Sequence, residues 1–139
     1  MSLEQYLDAT YLKTAAQAGI SKIENVRIVE QNIQEAIQYD FKLIMIRPEF
    51  VSLAKTMIVA AKSKLSVGTV IDFPIGDNST EFKVVKAKNA ILDGADELDF
   101  VLDYEAFKRG EITMVKEQVL ICTKLALENN KVAKWIIEV

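Results

Sequence analysis

Apolar residues follow two alternating patterns along this chain. Stretches with the 3.6-residue spacing of a helix that buries one face alternate with short apolar runs typical of buried strands, and turn residues separate them. Helices are predicted over about 21–38, 48–62, 79–93 and 112–129, and strands over about 41–46, 66–73, 95–102 and 132–138. This alternation predicts an α/β fold of four parallel strands alternating with helices and preceded by an extra N-terminal helix.

The same spacing predicts which side of each helix is buried. Ser21 and Glu24 form a capping-box pattern at the start of the first helix, and Asn78 or Ser79 is expected to cap the third, which ends at Gly94. The predicted buried positions, helix by helix, are Ile23, Val26, Ile33 and Ile37; Val51, Ala54, Ile58 and Ala61; Val84, Ala87 and Ile91; and Val115, Val119, Cys122 and Ala126.

Composition limits the classes of function. Half of the 139 residues are apolar, which predicts one compact domain over 1–139. The net charge is −3 and the 17 basic residues are dispersed, so neither nucleic acid nor a membrane is expected as a partner, and we expect a cytoplasmic protein. There is no histidine and one cysteine, Cys122, expected in the core. The common zinc sites and the histidine-activated nucleophiles therefore lack their residues.

Two charges interrupt otherwise apolar strands. Asp99 lies within the third predicted strand and Lys134 within the fourth, where an unpaired charge would cost several kcal/mol. Strand alternation puts Asp99 on one face with Glu97, and the charged faces are expected to point away from the covering helices. Four parallel strands are also half of an eight-stranded barrel, whose interior would place Asp99 beside Lys134. A buried ion pair without a catalytic role is the alternative interpretation.

Five motifs occur in order over almost the whole chain. They are Tyr6-Leu7-Asp8-Ala9-Thr10-Tyr11-Leu12-Lys13, Ile46-Arg47-Pro48-Glu49-Phe50, Gly68-Thr69-Val70-Ile71-Asp72-Phe73-Pro74-Ile75-Gly76, Gly94-Ala95-Asp96-Glu97-Leu98-Asp99 and Lys134-Trp135-Ile136-Ile137-Glu138. Together they resemble the N-terminal half of deoxyribose-phosphate aldolase, a class I aldolase with a TIM (β/α)8 barrel.

This resemblance implies a reaction and a set of site residues. The family reversibly cleaves 2-deoxyribose 5-phosphate to acetaldehyde and glyceraldehyde 3-phosphate through a lysine Schiff base, with no metal or organic cofactor. It implies that Asp99 and Lys134 are catalytic, Asp99 in proton transfer and Lys134 in the same polar network, and that Asp8 lies close to the substrate. A small phosphorylated sugar is the implied substrate, and a homo-oligomer the expected assembly.

The departures from the family pattern are as informative. The Lys-Thr-Ser-Thr type motif with the Schiff-base lysine and the later Gly-Gly-x-(Arg/Lys)-Thr segment are not in this sequence, and Ala9 stands where many members have histidine. We therefore expect the chain alone to be inactive, as a barrel domain truncated after the fourth strand. A natural half-barrel is the other explanation. If the chain is soluble alone, its open sheet edges predict a closed or stacked dimer.

Other functions fit this sequence less well than the aldolase does. A phosphoacceptor receiver would need an acidic pair where Arg47 stands, and a nucleotide-binding module would need more glycine than the segment before Gly76 offers. A non-catalytic half-barrel that assembles with itself or another chain is the main alternative. Lys134 as an independent Schiff-base lysine is disfavoured, because Asp99 would keep it charged. Met45 is expected to be packed, Asp72 to cap its strand end, and Trp135 to anchor a helix.

Overall fold

The computed structural model describes residues 2–138, and it contains five strands where the sequence predicted four. The strands are β1 (Asp8–Tyr11), β2 (Leu43–Ile46), β3 (Ser66–Ile71), β4 (Glu97–Val101) and β5 (Val132–Ile136). The helices are α1 (Ala15–Ala18), α2 (Lys22–Gln38), α3 (Val51–Ala60), α4 (Thr80–Asp93), α5 (Tyr104–Lys108) and α6 (Ile112–Glu128), with 3-10 turns at Leu3–Tyr6 and Pro48–Phe50. The predicted α/β class and its alternation are confirmed.

The strand that the sequence pattern missed is β1. It has four residues and lacks an apolar run, so its pattern gives little signal. It pairs in parallel with β2, with Asp8 opposite Leu43 and Tyr11 opposite Ile46. The helix predicted as an extra N-terminal element is therefore α2, the crossover between the first two strands.

Two compact units divide the described chain, the first ending at Gly68 and the second beginning at Thr69. The boundary falls within β3, so each unit includes part of this strand. Strands follow the order β1-β2-β3 in the first unit and β3-β4-β5 in the second. Whether the chain acts as one domain stays a prediction. Within residues 2–138, no helix combines the length and the apolarity that a bilayer crossing requires.

Helix α2 of the first unit shows both a confirmed cap and a corrected face. Ser21 Oγ accepts from the backbone N–H of Glu24 at 3.1 Å, and the Glu24 carboxylate accepts from the Ser21 N–H at 2.8 Å. Hydrogen bonding by the backbone N–H of Ser21, with a smaller part from its side chain, holds the pKa of the Glu24 carboxyl below its usual value. The predicted buried face is wrong at Ile23, which is exposed. The buried residues are Asn25, Val29, Ile33 and Ala36. Asn25 fits there because its Oδ1 accepts from the Tyr11 hydroxyl at 2.7 Å.

A similar shift occurs in the second unit. Ser79 caps α4 by accepting from the Phe82 N–H at 3.1 Å, and Gly94 ends this helix with a φ of 108°. The buried residues of α4 are Lys83, Ala87 and Ala90. The prediction is correct at Ala87, whereas Val84 and Ile91 each lie one residue after the position that is buried. On α6 the predicted Val115, Cys122 and Ala126 are buried, together with Gln118 rather than Val119. In the first unit, the prediction at Ala61 is also wrong, because α3 ends one residue earlier and leaves Ala61 exposed.

Candidate active site

The register of β4 and β5 brings two of the predicted site residues together. Asp99 and Lys134 are directly opposite each other in this parallel pair, and Phe100 is opposite Trp135. Asp99 is partly buried, whereas the Lys134 side chain is 51% exposed. Both residues make polar contacts in the structure. The sequence therefore located this pair correctly.

The opposite face of the same strands packs under a helix. The rings of Phe100 and Trp135 stack with centroids 5.0 Å apart, and the Trp135 indole N–H donates to Thr123 Oγ1 of α6 at 2.9 Å. The predicted anchoring role of Trp135 is confirmed. Because side chains alternate along a strand, Asp99 and Lys134 point to the face away from α6.

Glu97 is the residue of this face to which the sequence assigned no role. Its Oε1 lies 3.0 Å from Lys134 Nζ, and only 8% of its side chain is exposed. Its Oε2 is buried and has no hydrogen-bond partner within the described residues. Buried carboxylate oxygens are rarely left without a donor. Alternation along β4 had already placed Glu97 on the face of Asp99, so its position could have been used to predict the contact with Lys134.

Three further aspartates and one methionine lie in other parts of the fold. Asp8 lies in the first unit, at the exposed start of β1, and pairs with Leu43. Asp103 is buried and caps α5, accepting from the Ala106 N–H at 2.9 Å. Met45 is packed in the first unit, where a Cβ at Gly68 would approach its Cε to 2.6 Å. Asp72 directly follows β3 and binds Lys83, a contact that the sequence did not predict.

The single thiol has a core environment. Cys122 is fully buried, and this burial raises the pKa of the Cys122 thiol to about 11. A thiol that remains protonated is a poor nucleophile. Across the part of the chain that the structure describes, no group of three or more histidine, cysteine, aspartate or glutamate side chains could hold a metal ion.

The geometry of the candidate site supports proton transfer. Two carboxylates and one accessible ammonium lie within a short stretch of two paired strands, and their face is open to solvent at Lys134. A carboxylate beside an ammonium group stays ionised and can move a proton directly or through water. The catalytic roles of Asp99, Lys134 and Asp8 stay predictions.

Relatives that are similar to this chain in sequence are named deoxyribose-phosphate aldolases. No protein-family model matches the chain. It is 38% identical over 138 residues to the deoxyribose-phosphate aldolase of Thermococcus gammatolerans, covering 99% of this chain and 58% of the relative. It is also 38% identical to that of Lactococcus lactis, covering 57% of it. The chain resembles deoxyribose-phosphate aldolase. It spans little more than half the length of these relatives.

Solved structures agree with this similarity to deoxyribose-phosphate aldolase. An aldolase named QR15 superposes on 99% of this chain with a TM-score of 0.81 and 27% identity, and the match covers 56% of that protein. The Aeropyrum pernix deoxyribose-phosphate aldolase, whose structure is tetrameric, matches 96% of this chain with a TM-score of 0.76 and 25% identity, covering 51% of that protein. The predicted resemblance and the half-barrel fold are confirmed.

Proposed function

We propose that this chain supplies part of the active site of a deoxyribose-phosphate aldolase. In the complete enzyme, 2-deoxyribose 5-phosphate would be cleaved reversibly to acetaldehyde and glyceraldehyde 3-phosphate. A lysine outside this sequence would form the Schiff base, which accepts the electron pair of the breaking carbon–carbon bond. The observation that supports this role most strongly is the pairing of Asp99 with Lys134 on the face away from α6.

In this proposal, Asp99 moves protons at the carbinolamine and enamine stages. Lys134 belongs to the same polar network, and its positive charge lowers the tendency of a nearby amine to remain protonated. Asp8 lies close to the substrate. A non-catalytic half-barrel is not favoured, since the curated relatives are named aldolases. We also propose that the protein is cytoplasmic and that it forms a homo-oligomer. The tetrameric Aeropyrum pernix relative supports the oligomer. Light scattering that shows a monomer at micromolar concentration would contradict the oligomer.

A chimeric barrel tests the proposed reaction. The chimera joins residues 2–138 of this chain to the part of the Thermococcus gammatolerans relative that the chain does not match. Cleavage of 2-deoxyribose 5-phosphate is measured by coupled detection of acetaldehyde. We expect turnover by the chimera, at least about a 100-fold lower rate with Asp99→Asn, and none by the 139-residue chain alone.

Two controls make the result decisive. Glu105→Gln, which removes an exposed carboxylate from α5, should leave turnover unchanged. A chimera that is folded by circular dichroism but does not cleave the substrate would refute the proposal. Equal rates for the parent chimera and Asp99→Asn would refute the role of Asp99, and turnover by the chain alone would refute the need for a further segment.

A further inference from the structure

The loop between β3 and α4, residues 72–79, is bound to a lysine that no solvent reaches. Lys83 of α4 has a side-chain exposure of 0%, and its ammonium group forms an ion pair with Asp72. The same Nζ donates to the backbone carbonyl of Gly76 at 2.7 Å. A buried ammonium group is costly unless its donors are used. These two acceptors lie at the start and in the middle of one loop, so Lys83 connects them.

Asp72 is held from a second direction. Its carboxylate accepts from the backbone N–H of Asn78 at 3.0 Å and from Asn78 Nδ2 at 2.6 Å. The φ of Asp72 is +62°, in the left-handed region that aspartate tolerates better than most residues do. The carboxylate therefore joins the two ends of the loop, while Lys83 joins its start to its middle.

The middle of the loop lies directly on the end of β4. A Cβ at Gly76 would be 2.5 Å from the carbonyl oxygen of Leu102 and 2.7 Å from Val101 Cγ1, and the φ of Gly76 is +80°. No side chain fits at so short a distance from a backbone oxygen. Val101 is the last residue of β4, two residues after Asp99, and Leu102 follows it. A displacement of the loop would therefore remove the contact that holds the end of the strand to which the predicted catalytic carboxylate belongs.

We propose that Lys83 is a positioning residue, which fixes the 72–79 loop on the end of β4 and thereby the alignment of Asp99 with Lys134. The catalytic part of this inference rests on the proposed aldolase function, whereas the fixing of the loop does not. Neutralising Asp72 would require only the ion pair. The additional bond to the Gly76 carbonyl restrains the loop backbone, and this bond distinguishes positioning from charge balance.

Hydrogen exchange in the full chain tests the fixing of the loop. The double variant Asp72→Asn/Lys83→Met removes both charges, which avoids an unpaired buried ion, and it keeps an amide oxygen for Asn78. We expect the amides of residues 75–78 to exchange at least about tenfold faster than in the parent chain, with exchange in β2 unchanged. Glu105→Gln/Lys108→Met removes an exposed ion pair on α5 as the matched control and should leave the loop unchanged.

The parent chain provides a second measurement, which needs no variant to fold. The Gly76 N–H donates to the Asp72 carbonyl at 2.9 Å, and the Asn78 N–H donates to the Asp72 carboxylate. Both amides should exchange as slowly as those of β4. Exchange as fast as in the turn at Gly110 would overturn the inference, as would unchanged loop exchange in the double variant.

Activity in the chimera then tests the catalytic part. The double variant is expected to lower kcat at least about tenfold while KM changes less than about threefold, because the acid is misplaced and binding is retained. Faster loop exchange with an unchanged kcat would overturn the positioning of Asp99. An inactive parent chimera would instead refute the proposed function, and the exchange results would still decide whether Lys83 fixes the loop.

Discussion

Two lysine–carboxylate pairs in the second unit differ in their access to water. Lys83 and Asp72 are almost completely buried, and their charged atoms also bind Gly76 and Asn78. Lys134 binds Glu97 but is half exposed, and Glu97 Oε2 has no hydrogen-bond partner within residues 2–138. An ammonium group and a carboxylate thus form a closed cluster at Lys83 and Asp72. The open cluster consists of Lys134, Glu97 and Asp99.

The difference indicates separate uses for the two pairs. A fully buried ammonium group with all its acceptors supplied by one loop can only hold that loop, because a change of charge there would leave a partner unpaired. A half-exposed ammonium group beside carboxylates can exchange protons with water and move between partners. The comparison therefore agrees with the proposed proton transfer at the β4 and β5 face and with the proposed positioning role of Lys83.

Replacing each lysine by methionine should show the largest difference between the two pairs, in the free energy of unfolding. Lys83→Met leaves Asp72 buried without its cation and is expected to lower the free energy of unfolding by about 3–5 kcal/mol. Lys134→Met is expected to cost less, about 1–3 kcal/mol, because half of the Lys134 side chain is already in water although Glu97 loses a buried contact. Urea denaturation followed by circular dichroism measures both values. Equal losses for the two variants would show that the pairs do not differ in the way their exposure indicates.

The open cluster could be predicted from sequence, whereas the closed one could not. Asp99 and Lys134 are charges within apolar strands, and the period of two residues along a strand fixes which face each one shares. Lys83 lies in a helix, where the pattern counts lysine as a surface residue. Its burial depends on Asp72 and Gly76, and a bond between a side chain and a distant loop leaves no periodic signal.

The other wrong predictions, for β1 and for the buried face of α2, also have local causes. Strand β1 has four residues and is recognised by its pairing with β2 rather than by its own pattern. Asn25 is buried in α2 because Tyr11 satisfies its side chain, so the apolar residues around it do not by themselves define the inner face. Polar groups that are satisfied inside the fold shift a buried stripe away from the position that hydrophobicity alone predicts.

The reactivity of the Cys122 thiol on α6 tests whether solvent is excluded from the interior around Lys83. Burial raises the pKa of Cys122 to about 11, and the positive charge of Lys83 opposes part of this rise. At pH 8 the folded chain should react with iodoacetamide about 100-fold more slowly than the urea-unfolded chain, because fewer thiolates are present. Labelling at the unfolded rate would contradict the burial of this thiol.

The same pKa predicts how stability depends on pH. The native state favours the protonated thiol, so its contribution is complete below the pKa of the unfolded thiol, near 9, and is lost as the pH rises towards about 11. Cys122→Ala removes this titration and should flatten the corresponding decrease in the free energy of unfolding. A parent chain and variant with parallel pH profiles from 8 to about 11 would contradict this assignment.

The smallest expected effect distinguishes the partners within the open cluster. Glu97→Gln removes a negative charge 3.0 Å from Lys134 while keeping the size of the side chain. The Lys134 ammonium group loses a charged partner that restrains it, so its acetylation at pH 8 should accelerate about two- to fivefold, the range expected for a partly exposed ion pair. Peptide mapping by mass spectrometry measures acetylation at each lysine. Glu105→Gln, which removes the partner of Lys108, is the control and should accelerate acetylation at Lys108 alone. An unchanged rate at Lys134 in Glu97→Gln would mean that Glu97 does not restrain the Lys134 side chain, and the open cluster would then reduce to Asp99 and Lys134.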